Sequence, residues 1–332
     1  MSVEVTEVRL VRRPVGLPAV DDFEVVKSEL ESPAEGQVLV RNAYVALDPY
    51  LRLSMSEEHA IHGLLPLERV VPGLAVGEVI ESAHPGYPVG TWVTGPLGWR
   101  DHVLTRGRGL RVVDPLPSRA SHVLGPLGMP GFTAWCGIEL VTTAGPDDVV
   151  YVSAAAGAVG SVAGQLAHLN GARVIGSAST PERVDWLRAH GFDEVFDHRR
   201  TAVAEGLREA APDGLTIYFD NVAGEPLEAA LDALRDFGTV VCCGALSIYN
   251  NPDAHGPANL HLLSLKALSM LGFRYLDYQV EHFDRFASKM SELLAGGEVV
   301  TAEHIVPGIE NAPGAFVDSF TKAAIGKTLI AI

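Results

Sequence analysis

The stretch Ala155-Ala156-Gly157-Ala158-Val159-Gly160 has the form A-x-G-x-x-G. It follows the β-rich run Val149-Val150-Tyr151-Val152-Ser153 and leads at once into an apolar helical pattern over residues 161–167. A dinucleotide pyrophosphate needs strand, tight turn and helix in that order. Small residues let the backbone approach the phosphates, and the helix N-terminus offers free N–H groups and the positive end of its dipole. The competing reading is a plain βα turn, since glycine turns join strands to helices in many folds. The flanking strand and helix favour the cofactor.

In a fold that prefers NAD, a carboxylate roughly 20 residues past the turn accepts the adenosine 2′-hydroxyl. Here the end of the second strand, through Ser177, Ser179 and Thr180, offers hydroxyls and no carboxylate. Arg183 falls in the first turn of the next helix, and His198 and Arg199 close the third strand at the same C-terminal edge. Cations without a carboxylate suit a 2′-phosphate, which a guanidinium can bond bidentately. NADP(H) is therefore expected over NAD(H). The alternative is that Arg183 and Arg199 are ordinary solvated charges.

Elements must hold these residues in place, and the sequence supplies them in two styles. From residue 148 onward, apolar strand-like runs at 149–153, 173–177, 194–197, 215–220, 238–244 and 269–275 alternate with helical patterns that include 181–190, 202–210 and 226–235. That alternation implies a doubly wound parallel sheet with helices on both faces, an α/β class of fold. Residues 1–117 instead read as short β-runs between Gly and Pro, such as 37–47 and 92–96, which suggests a barrel or sandwich. Ser118 is a candidate helix cap where the character changes. After a helical pattern at 280–294, β-runs return at 303–306 and 328–332.

Bulk properties narrow the function. A chain of 332 residues favours about two domains. Its net charge of −16 argues against nucleic acid or an anionic membrane as the main partner. The start of the chain has neither a basic segment nor an apolar one of the kind a secretory signal needs, and no apolar run approaches the roughly 18 residues of a membrane span. Cys136, Cys242 and Cys243 are an odd number of thiols with two adjacent, so no disulfide framework is expected. Buried structural thiols and a cytoplasmic location are expected instead.

Six blocks in order carry a family resemblance. They are Val45-Ala46-Leu47-Asp48-Pro49-Tyr50-Leu51-Arg52, Gly128-Met129-Pro130-Gly131-Phe132-Thr133-Ala134, the segment 153–160, Tyr218-Phe219-Asp220-Asn221-Val222-Ala223-Gly224, Cys243-Gly244-Ala245-Leu246-Ser247-Ile248-Tyr249-Asn250, and Gly326-Lys327-Thr328. Over nearly the whole chain this resembles the zinc-independent medium-chain dehydrogenase/reductases, in the branch of leukotriene B4 dehydrogenase/prostaglandin reductase, alkenal double-bond reductases and curcumin reductase. The resemblance implies a Rossmann cofactor domain over 118–296 and a GroES-like β-rich catalytic domain made of 1–117 with 297–332. It also implies a homodimer and NADPH-dependent reduction of the C=C bond of α,β-unsaturated ketones or aldehydes. Carried over by motif, Arg183 matches the basic residue near the 2′-phosphate, and His198 stands where a tyrosine is usual. Asn221, Cys243, Gly244 and Tyr249 fall in cofactor-side blocks, Met129 and Thr133 are further candidate cofactor contacts, and Met129 and Phe132 are expected to line the cleft near the nicotinamide. One departure is that Ala323-Ala324-Ile325 precedes Gly326-Lys327 where the family often has Asn, so a side-chain contact to the cofactor is expected to be missing.

No metal site is expected. Zinc-dependent relatives need early cysteines and a four-cysteine lobe, whereas Cys136 is the first cysteine and no C-x-x-C occurs. Hydride addition to an enone β-carbon is feasible without a Lewis acid, because charge spreads onto the carbonyl oxygen as an enolate. The site must still orient the substrate and supply a proton. Tyr249 and Tyr50 are the candidate catalytic residues, the alternative for each being packing. Tyr50, Met129, Phe132 and Tyr275 are candidate lining of the substrate pocket, with core packing again the alternative. Pocket size rests on the loops at 53–67 and 250–260. A quinone or carbonyl reductase on the same scaffold, or a non-catalytic NADPH binder, remains the alternative function.

Overall fold

The computed structural model describes residues 2–57, 63–114, 117–251, 253–322 and 324–332. In chain order, the strands β1 (Val3–Leu10), β2 (Phe23–Leu30), β3 (Val38–Ala46), β4 (Arg69–Val70), β5 (Ala75–Ser82), β6 (Trp92–Gly95), β7 (His102–Thr105) and β8 (Arg111–Val112) come first. Then α1 (Met129–Trp135) leads into β9 (Val149–Val152), α2 (Gly160–Leu169), β10 (Arg173–Ala178), α3 (Pro181–Arg188), β11 (Glu194–Asp197), α4 (Val203–Ala210) and β12 (Leu215–Asp220). Next come α5 (Gly224–Ala233), β13 (Leu234–Cys242), α6 (Leu262–Leu265), β14 (Ser269–Gly272) and α7 (Tyr275–Gly296). The chain closes with β15 (Glu303–Pro307), α8 (Ala312–Thr321) and β16 (Lys327–Ala331). Two compact units result: Met1–Leu124 with Glu303–Lys322 and Lys327–Ile332, and Gly125–Ala302 with Ala323–Gly326.

The first unit is β-rich. A three-stranded sheet runs β2-β1-β4, and a larger one runs β15-β16-β3-β5-β6-β8 with β7 also on β3. Alternating apolar positions such as Val38 and Val40 of β3 fill a core around the fully buried Trp99, which stacks on Phe23 at 5.8 Å and meets the edge of Phe316 at 5.2 Å. The segment Pro117–Leu124 is a 3-10 helix whose Ala120 and Leu124 pack with Ala46, Val76 and Leu329. The side chain of Ser118 lies outside the described residues, as do residues 58–62 and Pro252 of the two pocket loops.

The second unit is a parallel sheet of order β11-β10-β9-β12-β13-β14. Its strands are apolar on both faces because both are covered. Val150, Val152, Phe219 and Val241 face a core shared with α1, α2, α3 and α7. Tyr151, Tyr218 and Val240 face the core under α4 and α5. Strand order reverses between β9 and β12, and in open α/β sheets ligands bind at such a switch point. Among the described residues no helix is long and apolar enough to cross a membrane.

Several element boundaries differ from the sequence reading. The strand expected over 269–275 ends at Gly272, and the helix expected over 280–294 begins at Tyr275. Tyr275, Tyr278 and Phe283 pack on the same core at helical spacing, which outweighs the local β propensity of the run. α5 begins at Gly224 rather than Pro226, preceded by Ala223 at φ 60° and ψ −156°. That region is essentially open only to glycine. Ala223→Gly is therefore expected to stabilise the protein by about 1 kcal/mol, read as a rise in the thermal unfolding temperature. A fall on substitution would show that the strain is absent.

Candidate functional site

The turn after β9 is as tight as its composition implies. A Cβ on Gly160 would lie 2.6 Å from the carbonyl oxygen of Ala154, so the first residue of α2 must be glycine for the turn to close. Ala155 is fully buried, while Gly157, Ala158 and Val159 are partly exposed and present the backbone that an anion can approach. The segment ahead of β16 braces this turn. Gly326 bridges to Gly157, and its N–H donates to the Ala156 carbonyl at 2.8 Å. With φ at 76° and space for a Cβ only 1.8 Å from the Ala302 oxygen, position 326 accepts glycine alone.

A buried polar network underlies the switch point. Asp220 Oδ1 accepts from the Tyr218 hydroxyl at 2.7 Å and from the N–H groups of Val222 and Ala223 at 2.9 and 2.8 Å. Burial pushes the Asp220 carboxyl up, and these hydrogen bonds oppose that shift. Ser153 joins the network: its Oγ accepts from the Asn221 N–H at 3.0 Å, and its carbonyl accepts from the Asn221 amide at 2.8 Å. The N–H groups of Cys243 and Gly244 both donate to the Asp220 carbonyl at 2.9 Å. Asn221, Cys243 and Gly244, expected from their blocks, are thus held together at the ends of β12 and β13. Asp220, Tyr218 and Ser153 lay inside those blocks but were not singled out. A polar residue closing an otherwise apolar strand was the signal for them.

The expected phosphate corner is also assembled. Thr180 caps α3 by accepting from the Arg183 N–H at 3.4 Å. Ser179 Oγ accepts from Arg183 Nη1 at 3.1 Å, the Ala324 carbonyl accepts from Nη2, and the buried Nε has no partner among the described residues. Burial lowers the Arg183 pKa, and Arg199 lowers it further. The spare donor and the neighbouring positive charge fit an anionic group with several acceptor oxygens, as a 2′-phosphate is. The expectation at Ala324 concerned only a missing side chain. The structure adds a role for its backbone, whose carbonyl orients Arg183.

The tyrosines lie in different units. Tyr249 is 9% exposed. Burial pushes its pKa up, so it holds its proton at neutral pH. Tyr50 sits in the 3-10 turn Pro49–Ser54 and is 40% exposed. Thr133 is nearly buried and its hydroxyl donates to the Met129 carbonyl at 2.8 Å. Met129 is half-buried. Phe132 is fully buried among Trp135, Tyr275, Phe283 and Phe286, the packing that was the alternative to its lining the pocket. Tyr275, half-buried, meets it edge-on at 6.4 Å. The thiols are less uniform than expected, since Cys136 is buried but Cys242 and Cys243 only half so. Burial pushes them up to about 12, about 11 and about 12, which keeps them protonated. Among the described residues no group of three or more His, Cys, Asp or Glu side chains is placed to hold a metal ion.

Known proteins resemble this chain over nearly its whole length. A family model described as the N-terminal domain of oxidoreductase matches residues 6–113, and one described as zinc-binding dehydrogenase matches residues 158–294. Prostaglandin reductase 1 of Bos taurus is 36% identical over 95% of this chain and 95% of its own length. The NADPH-dependent curcumin reductase of Escherichia coli is 34% identical over 97% of this chain and 95% of its own. The 2-alkenal reductase (NADP(+)-dependent) of Nicotiana tabacum is 34% identical over 96% and 94%. Among solved structures, CurA from Vibrio vulnificus in complex with NADPH superposes with a TM-score of 0.93 at 35% identity, covering 98% of both chains.

Proposed function

Because the chain belongs to the medium-chain dehydrogenase/reductases and is an NADP(H)-dependent oxidoreductase of the curcumin, prostaglandin and alkenal reductase type, we propose that it reduces the C=C bond of α,β-unsaturated ketones or aldehydes. The observation that carries this reading is the full-length similarity to a 2-alkenal reductase, since a 2-alkenal has its C=C bond conjugated with the carbonyl. NADPH, when bound, would supply the hydride for the β-carbon of such a substrate.

The chain's own residues do the rest. The turn 155–160 and the N-terminus of α2 take the pyrophosphate, and Arg183 with Arg199 takes the 2′-phosphate. Tyr249 holds a proton at its phenol oxygen, which burial keeps in place until an enolate can accept it. Tyr50 is the second candidate for contact with the carbonyl oxygen. Tyr249→Phe is expected to lower kcat about tenfold or more while leaving KM for NADPH within about twofold. Unchanged kinetics would reduce Tyr249 to packing.

The outer edge strand β14, with Leu271 exposed on it and Leu265 exposed just before it, is the surface through which we expect a homodimer to form. Sedimentation would report it. Three free thiols suit the cytoplasm. The deciding experiment is NADPH consumption with a small enone, a quinone and a saturated ketone, with the new hydrogens located by mass and NMR. A saturated carbonyl product from the enone supports the reading. Turnover of the quinone alone would replace it with quinone reduction, and no turnover despite NADPH binding would leave a non-catalytic binder.

A further inference from the structure

We propose that His198 is the protonatable member of the 2′-phosphate site, so that NADP(H) is bound together with a proton taken up on this imidazole. The inference rests on the reading of Arg183 and Arg199 as the phosphate cradle, and adds to it a group whose charge changes on binding.

Strand register places His198 at that corner. β10 and β11 run parallel, and their last paired residues are Ala178 and Asp197. The next residues, Ser179 and His198, therefore leave the sheet side by side, and the His198 N–H donates to the Ala178 carbonyl at 3.0 Å. Ser179 is the residue whose hydroxyl accepts from Arg183. His198 is exposed at this edge, and the charges acting on its imidazole come from three elements: Asp197 and Arg199 at the end of β11, Arg183 from α3, and Glu225 from α5. Asp197 is engaged elsewhere, since its carboxylate accepts from the Arg199 N–H at 3.0 Å and pairs with Arg200 at 3.4 Å.

The sign of the linkage follows from those neighbours. Partial desolvation by the neighbouring chain lowers the His198 pKa, and Arg199 and Arg183 lower it further, against opposing contributions from Asp197 and Glu225. The free protein therefore presents a neutral imidazole at pH 7. A 2′-phosphate would bring about two negative charges to a corner that holds two guanidiniums and this ring. That raises the imidazole pKa in the bound state above its value in the free state. Binding then takes up a proton, and affinity for NADPH rises as the pH falls from above the bound-state value toward the free-state value. NADH carries a neutral 2′-hydroxyl at this point and gains no such proton. The phosphate's own ionisation, near pH 6, is common to wild type and variants and cancels in their comparison.

The test is calorimetric titration of NADPH and of NADH into the full chain and into His198→Gln, between about pH 6 and 8, in two non-phosphate buffers of different ionisation enthalpy. Gln keeps a hydrogen-bond donor but cannot take the charge. Wild type is expected to bind about half a proton more than the variant with NADPH and to show no difference with NADH. Its NADPH affinity should gain about three- to tenfold over that of the variant on going from the alkaline to the acid end. Equal proton linkage in the two proteins, or a His198→Gln effect as large on NADH as on NADPH, overturns the inference. Arg183→Ala separates its failure from that of the underlying reading. If NADPH and NADH lose affinity equally, the phosphate does not sit at this corner. If discrimination is lost on Arg183→Ala but no proton follows His198, only the role of His198 falls.

Discussion

Arg183→Ala is expected to raise the dissociation constant for NADPH about a hundredfold while changing that for NADH by less than about threefold. The size follows from what is removed. Hydrogen bonds to charged groups contribute about 1.5–3 kcal/mol, and a guanidinium facing a phosphate supplies more than one of them. The guanidinium is pre-positioned by Ser179 Oγ and the Ala324 carbonyl, so little rotamer freedom is lost on binding. Arg183→Lys keeps the charge without the fork and should fall between wild type and Ala. Both are read by fluorescence or calorimetric titration, with thermal unfolding as the control for loss of the contact to residue 324. Parallel losses for NADPH and NADH would remove Arg183 from the phosphate site.

What could be read from the chain alone follows the range of the interactions. The turn 155–160 and its flanking elements were legible because every signal lies within about twenty consecutive residues: an apolar strand, small turn residues and an apolar helix. Arg183, His198 and Arg199 were legible as a group because strand ends in a parallel sheet share one edge. Tyr275 was misplaced on a strand because a short apolar run looks alike in either state, and Arg274 before it gives no side-chain cap to mark the helix start. The Asp220 network joins residues 67 positions apart, as at Ser153, and no local pattern announces that pairing. The Ala324 carbonyl could not be read at all, since a backbone acceptor has no residue type.

The ion pair between Lys327 and Asp48 has a longer range still, and it carries the largest expected effect on stability. Lys327 Nζ bonds the Asp48 carboxylate and lies 3.5 Å from the Leu47 carbonyl, joining the start of β16 to the chain just after β3. Side-chain exposures are 6% and 5%, and Asp48 Oδ2 has no partner among the described residues. Two charges so deeply buried tolerate each other only as a pair. Lys327→Met would leave a buried, uncompensated carboxylate and is expected to cost about 3–5 kcal/mol. Asp48→Leu, which leaves the ammonium, should cost a similar amount. The double variant should recover most of the loss, because a well-packed apolar pair of similar volume is often as stable as the ion pair it replaces. Urea and thermal unfolding of the four proteins close this cycle, and simple additivity of the two losses would show that the residues do not interact. The pair also bears on the reaction, since Asp48 immediately precedes the turn Pro49–Ser54 that carries Tyr50. If Tyr50 contacts the substrate carbonyl, the double variant should regain stability yet keep a raised KM for the enone, because apolar packing restores the fold without the directional bond that sets the start of the turn.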